Sequence, residues 1–139
     1  RPHHRASSPK TWKKKYKSIH ITSNTCDIFK LIKKSRLTVF NYDSAGLLEL
    51  LALNIPVVCF WRGDSLLPES KIYYKLLKDS GIVFDCFEKV ANHINKHWED
   101  IDSWWYSSAV QHARSKFCNQ HSRVIKSPIE TFKKLLLKK

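Results

Sequence analysis

The chain has 139 residues, is 42% hydrophobic and 12% aromatic, and holds only three glycines, which suits one compact folded unit and excludes a linker, a fibrous repeat or general disorder. Its formal charge of +13 is unevenly placed, with seven Lys and Arg between Arg1 and Lys17 and no acid among them. Such a segment suits nucleic acid, an anionic membrane surface or a phosphorylated substrate, or else a solvated arm that binds nothing specific.

In chain order, residues 1–18 contain Pro2 and Pro9 and lack periodicity, which predicts an irregular basic arm ahead of a folded domain over residues 19–139. A short strand is expected around Ile19–Thr22, then an amphipathic helix over Asp27–Lys34. Leu37–Phe40 is β-prone, Ser44–Leu53 is helical and apolar almost all round, and Pro56–Trp61 is an unbroken apolar run of β-branched and aromatic residues. Strand, helix and strand at this spacing predict a βαβ unit in a parallel sheet covered by helices on both faces, with the connecting helix deeply packed.

The alternation then continues. Glu69–Asp79 reads as a helix with Ile72, Tyr73, Leu76 and Leu77 inward, and Gly81–Phe84 as the next strand. Phe87, Val90, Ala91, Ile94 and Trp98 form a helical stripe expected to close over the sheet. Residues 102–118 read as one further helix, whose Trp104 and Trp105 suit packing better than base stacking. Pro128 sits near the start of a last helix with Ile129, Phe132, Leu135 and Leu136 as its expected buried face. The fold class is therefore α/β: a partial Rossmann-like three-layer domain with three or four parallel strands and a helical C-terminal tail.

Cys26, Cys59, Cys86 and Cys118 show no metal-ligand spacing, and Cys59 and Cys118 lie in runs where a thiol is usually a small core residue. His93 and His97 are four apart but flanked by polar residues, which reads as a surface pair, so no metal site is expected. No apolar run approaches the roughly 20 residues needed to span a bilayer. A cytoplasmic chain is expected, with any membrane contact, such as one at the inner membrane, peripheral. The first residue is Arg1, without an initiator methionine, which reads as a fragment or trimmed product.

Ligands of open α/β sheets gather beyond the carboxyl ends of the strands, at helix amino termini whose free amides hold phosphate. Two turns qualify, 41–46 and 62–68. In the first, Asp43 or Ser44 suits a helix cap, and Ala45 and Gly46 are small enough for an anion to approach the backbone. Glu49 is the only charge from Ser44 to Leu53 and is misplaced for a capping box, so it either faces the solvated rim or takes a ligand's hydroxyls. In the second turn Arg62 suits phosphate and Trp61 a base or sugar, with a salt-bridged loop through Asp64 as the alternative. P-loop, GxGxxG and GxSxG elements do not occur, which counts against ATPase, dinucleotide and hydrolase chemistry.

The stretch from Leu37 to Trp61, with its core Tyr42-Asp-Ser-Ala-Gly-Leu-Leu-Glu49, resembles the carboxy-terminal domain of a family of bacterial surface-carbohydrate transferases with the two-Rossmann-domain (GT-B) fold. Gly81–Phe84, Ile101–Trp105 and Ala113–Cys118 extend the likeness, with a fainter echo in Arg1-Pro-His. The resemblance implies a nucleotide-sugar donor as substrate, no separate cofactor, diphosphate contacts at Ser44, Ala45 and Gly46, and ribose contacts at Glu49, seven residues before Pro56. Asn41 and Asp43 are counted with Ser44, Ala45, Gly46, Glu49 and Arg62 as expected nucleotide-sugar contacts, although Asn41 stands where retaining relatives often have an acid, Asp43 and Ala45 depart from the usual Asn and Thr, and Asn54 replaces the usual glycine before the proline. It implies further that Arg62 or Arg5 offsets leaving-group charge, that the acceptor is a carbohydrate or lipid-linked hydroxyl, and that the base comes from an N-terminal Rossmann domain missing here. Without that domain, no turnover is expected. The rival readings are a basic module binding nucleic acid or an anionic surface, and a degenerate domain kept for protein interaction.

Overall fold

The computed structural model describes residues 9–22, 26–63 and 66–137. The chain divides into two compact units, residues 1–34 and 35–139. In the first, where the sequence suggests irregular chain, α1 (Pro9–Lys15) is helical, and the rings of Trp12 and Tyr16 stack at 5.5 Å one turn apart. Residues 19–22 are not a strand. The expected helix at 27–34 shrinks to α2 (Ile28–Ile32), started by Asp27, whose carboxylate accepts from the Phe29 amide at 3.0 Å.

The second unit is built on a three-stranded sheet, with β1 (Thr38–Phe40), β2 (Val57–Phe60) and β3 (Val83–Phe84) in the order β1-β2-β3. Both ladders are parallel, with Val39 opposite Val58 and Cys59 opposite Val83. The βαβ reading holds, and the fold is α/β with a parallel Rossmann-like sheet. α3 (Ala45–Ala52) joins β1 to β2, and α4 (Pro68–Asp79) joins β2 to β3. Both pack against α7 (Ser108–His121) and so share one face, as successive crossovers stepping the same way across a sheet require. The other face carries α5 (Phe87–His97): Phe87 meets Phe60 edge-on, and His93 lies against Phe84.

That second cover is incomplete. In parallel register Val39, Val58 and Phe60 point to the α5 side, and over β1 Val39 remains 54% exposed. The cover is thin at β1 because α5 packs mainly on β2 and β3. β2 itself is central, and Val57, Val58 and Cys59 are fully buried. α3 packs as its composition requires, burying Leu47, Leu50 and Leu51, each contributing about 2 kcal/mol of transfer free energy.

Other helices depart from their expected faces. α4 turns Tyr74 and Leu77 inward and leaves Ile72 exposed, because its contact with α7 is centred one position further on. On α5, Val90 is buried while Phe87, Ala91 and Trp98 are exposed, and the Arg36 guanidinium covers the Trp98 ring at 4.9 Å. The expected helix at 102–118 is two: α6 (Ile101–Trp105) ends at Tyr106, and Ser107 caps α7 by accepting from the Val110 amide. α8 (Pro128–Leu136) has the expected start, but its apolar side chains are exposed, because it packs on no described element closely enough to bury any of them.

Candidate functional site

The turn between β1 and α3 lies beyond the carboxyl end of β1, as the sequence predicts. Ser44 is the cap, in extended geometry, with its side-chain oxygen accepting from the Leu47 amide at 3.4 Å. The amides of Ala45 and Gly46 belong to the first turn of α3, where helix geometry supplies no internal acceptor, and the helix dipole adds partial positive charge. Ala45 is exposed and Gly46 half-buried. A Cβ on Gly46 would come within 3.0 Å of the Phe40 ring, so this glycine has a packing reason that the sequence could not show.

Asp43 takes no part in the cap. Its carboxylate accepts from the Tyr74 hydroxyl at 2.6 Å, tying the β1–α3 turn to the middle of α4. Tyr74 lies 5.1 Å from the Trp61 ring and 5.0 Å from the Phe117 ring, so the turns after β1 and β2 are joined through one phenol. Its hydroxyl ionises well above the usual range because of burial and the neighbouring Asp43 carboxylate, and it remains a donor. The Cys59 thiol donates to the Tyr42 carbonyl at 3.4 Å and is pushed up to about 12, by burial first and then by Asp43. Tyr74 is absent from the sequence reading, which turned its neighbour Tyr73 inward; the single available signal is its spacing of three from Leu77.

The remaining expected contacts are placed as follows. Glu49 is exposed on α3 and open to solvent or to a ligand. Asn41 is also exposed. Arg62 follows β2 at the same carboxyl edge, with an exposed side chain and a carbonyl that accepts from Lys78 Nζ at 3.5 Å. The Trp61 ring already packs on Tyr74. Arg5, Asp64 and the Arg1-Pro-His likeness lie outside the described residues.

The far end of α3 is held as firmly. Asn54 adopts a left-handed φ of 56°, the conformation that the usual glycine supplies, and its side-chain oxygen accepts from Trp105 Nε1 at 3.0 Å and Gln111 Nε2 at 3.1 Å. Arg114 donates to the Leu51 carbonyl at 2.9 Å, which also accepts from the Asn54 amide at 3.2 Å, and Ser122 donates to the Leu48 carbonyl at 2.9 Å, so both tie α3 to α7 and the residue that follows it. The Ile101–Trp105 and Ala113–Cys118 motifs thus seat α3, and Trp104 and Trp105 are core residues, as the packing reading expects.

His93 does not fit the surface reading. It is half-buried between Phe84 and Trp104, close under Gly81, with Nε2 buried and unbonded. Among the described residues no group of three or more His, Cys, Asp or Glu is placed to hold a metal ion. A cavity of about 290 Å³ bounded by Arg36, Pro56, Glu99 and Asp102 opens at the opposite, amino-terminal edge of the sheet, away from the β1–α3 turn.

Residues 1–136 match the sequence model of the LIC12162 family of transferases, nearly the whole chain, and the chain belongs to that family. No curated protein and no solved structure matches it.

Proposed function

We propose that this member of the LIC12162 transferase family is the donor-binding half of a glycosyltransferase of surface-carbohydrate biosynthesis, moving a sugar from a nucleotide donor to an acceptor hydroxyl. The observation that carries the reading is the Ser44-capped start of α3 at the carboxyl edge of β1, braced by Asp43 and Tyr74. The amides of Ala45 and Gly46 face developing diphosphate charge, Arg62 offsets part of it, and exposed Glu49 takes ribose hydroxyls. Asp43 braces the turn through Tyr74 and so is reassigned from ligand contact to positioning, while Asn41 lines the mouth of the turn. Acceptor and catalytic base are assigned to a second Rossmann-type domain across the cleft, the acceptor being a carbohydrate or lipid-linked hydroxyl.

The test is a titration of the chain with nucleoside diphosphates and nucleotide sugars, followed by amide chemical shifts and repeated with Glu49→Ala. Saturable shifts at residues 44–49, weakened at least tenfold by the substitution, are expected. Absence of shifts with every nucleotide, alongside salt-sensitive oligonucleotide binding through the lysines of α1, would overturn the reading in favour of a basic nucleic-acid module.

A further inference from the structure

We propose that α8 is an interfacial helix that lays its apolar face into the headgroup region of an anionic phospholipid bilayer. The inference is independent of the donor site and rests on three observations, two on α8 and its carboxyl end and one on the sequence from residue 123 to residue 139.

The first is exposure. Ile129, Phe132, Leu135, Leu136 and Leu137 are 72%, 65%, 62%, 77% and 83% exposed, and α8 has no buried residue. Four of these large apolar side chains, Ile129, Phe132, Leu135 and Leu136, share one side of a short helix, and soluble surfaces rarely leave such a patch uncovered.

The second is the arrangement around the helix. At about 100° per residue, Ile129, Phe132, Leu135 and Leu136 fall within an arc of roughly 120°, with Glu130, Lys133 and Lys134 outside it. Leu137 lies off that arc, beyond Lys133, so the apolar surface broadens at the carboxyl end. A protein groove accepts a narrow stripe with spacings of three, four and seven. Ile129, Phe132 and Leu136 have those spacings, but Leu137 carries the apolar surface past Lys133 and wider than such a stripe, and a fluid acyl boundary accommodates that width.

The third is charge. Between Arg123 and Lys139 the sequence has six Lys and Arg and one acid, Glu130. Lys133 borders the apolar arc, where its stem can lie along apolar surface while its ammonium reaches headgroup phosphate. Among the described residues no helix is long and apolar enough to cross a membrane, so α8 lies along the surface. A segment this short holds only when apolar burial and charge attraction act together, so binding must depend on both lipid charge and salt.

The test is co-sedimentation of the full chain with vesicles of phosphatidylglycerol and phosphatidylcholine, and of phosphatidylcholine alone. At least tenfold tighter partition onto the anionic vesicles is expected, weakened by salt, with slowed amide exchange at residues 129–136. Phe132→Glu and Leu136→Glu each reduce partition at least tenfold with an unchanged melting temperature, since both side chains are exposed. Exchanging Lys13, Lys14 and Lys15 for Gln has a smaller effect. The proposal is overturned if the chain ignores anionic vesicles, if both α8 variants bind as wild type, or if the α1 exchange alone abolishes binding. It is equally overturned if α8 is found seated on a protein partner in the presence of vesicles.

Discussion

The Tyr74 hydroxyl donates to the Asp43 carboxylate across a layer of rings, where water competes poorly for either group, so this contact is stronger than its surface equivalent. Removing the hydroxyl as Tyr74→Phe keeps the ring packing on Phe117 and leaves a half-buried carboxylate one donor short. A loss of about 1–3 kcal/mol is expected, measured by denaturant unfolding, together with faster amide exchange at Ala45 and Gly46 as the turn loosens. An unchanged stability would show that Asp43 finds water instead. At this scale the sequence was readable where a residue's own chemistry decides its place, as with Cys59 and Cys118, apolar in context and buried in fact. It was unreadable where a contact made in the folded state decides: neither Asp43 with Tyr74, 31 residues on, nor Gly46 with Phe40 across the β1–α3 turn shows in the residue pattern.

α3 is the best-determined element, and its two ends have different chemistry. The amino end uses a serine cap and leaves amides available; the carboxyl end is closed by Asn54, Arg114 and Ser122. Asn54 does two tasks, adopting a left-handed backbone and accepting two hydrogen bonds, so its variants separate them. Asn54→Gly loses the side-chain acceptor alone, whereas Asn54→Ala also pays left-handed strain, and should be less stable than the glycine variant by about 1 kcal/mol. Equal unfolding midpoints for the two would remove the backbone part of this account. The strands and α3 were legible because periodicity and cap residues are local signals. The faces of α4 and α5, and the break between α6 and α7, were not, because inward direction is set by the element packed opposite, α7 for α4 and the sheet for α5. α8 illustrates the limit most clearly: its amphipathic pattern was correctly seen, but a pattern states that a face wants cover and not that cover exists.

For the molecule as a whole, three groups among the described residues are shifted far from their ordinary range, His93 on the acid side and Cys59 and Tyr74 on the alkaline side, and they bracket a pH range of full stability. The His93 imidazole is pushed down to about 4, by burial first and then by His97 and Lys96. In the unfolded chain it binds a proton from about 6.5 downward, so between 6.5 and 4 the unfolded state holds more protons and stability falls as pH falls. Cys59 acts with the opposite sign: its thiol ionises near 9 when unfolded and near 12 when folded, so stability falls as pH rises between those values. A plateau from about pH 6.5 to about 9 is therefore expected. Because the ring is half-buried, solvent screening reduces the acid-side loss from His93 to roughly 1–2 kcal/mol. Denaturant unfolding at pH 7.5 and at pH 4.5 checks it, with His93→Gln as the informative variant. Glutamine retains a polar side chain of similar reach between Phe84 and Trp104 but takes up no proton, so its acid-side slope should flatten while that of an exposed control, His112→Gln, should not. If His93→Gln keeps the wild-type slope, this account of the acid limit is overturned; Asp85, held below its usual range by Lys89, loses its contribution only below the ordinary carboxylate range and does not supply a slope between pH 7.5 and 4.5.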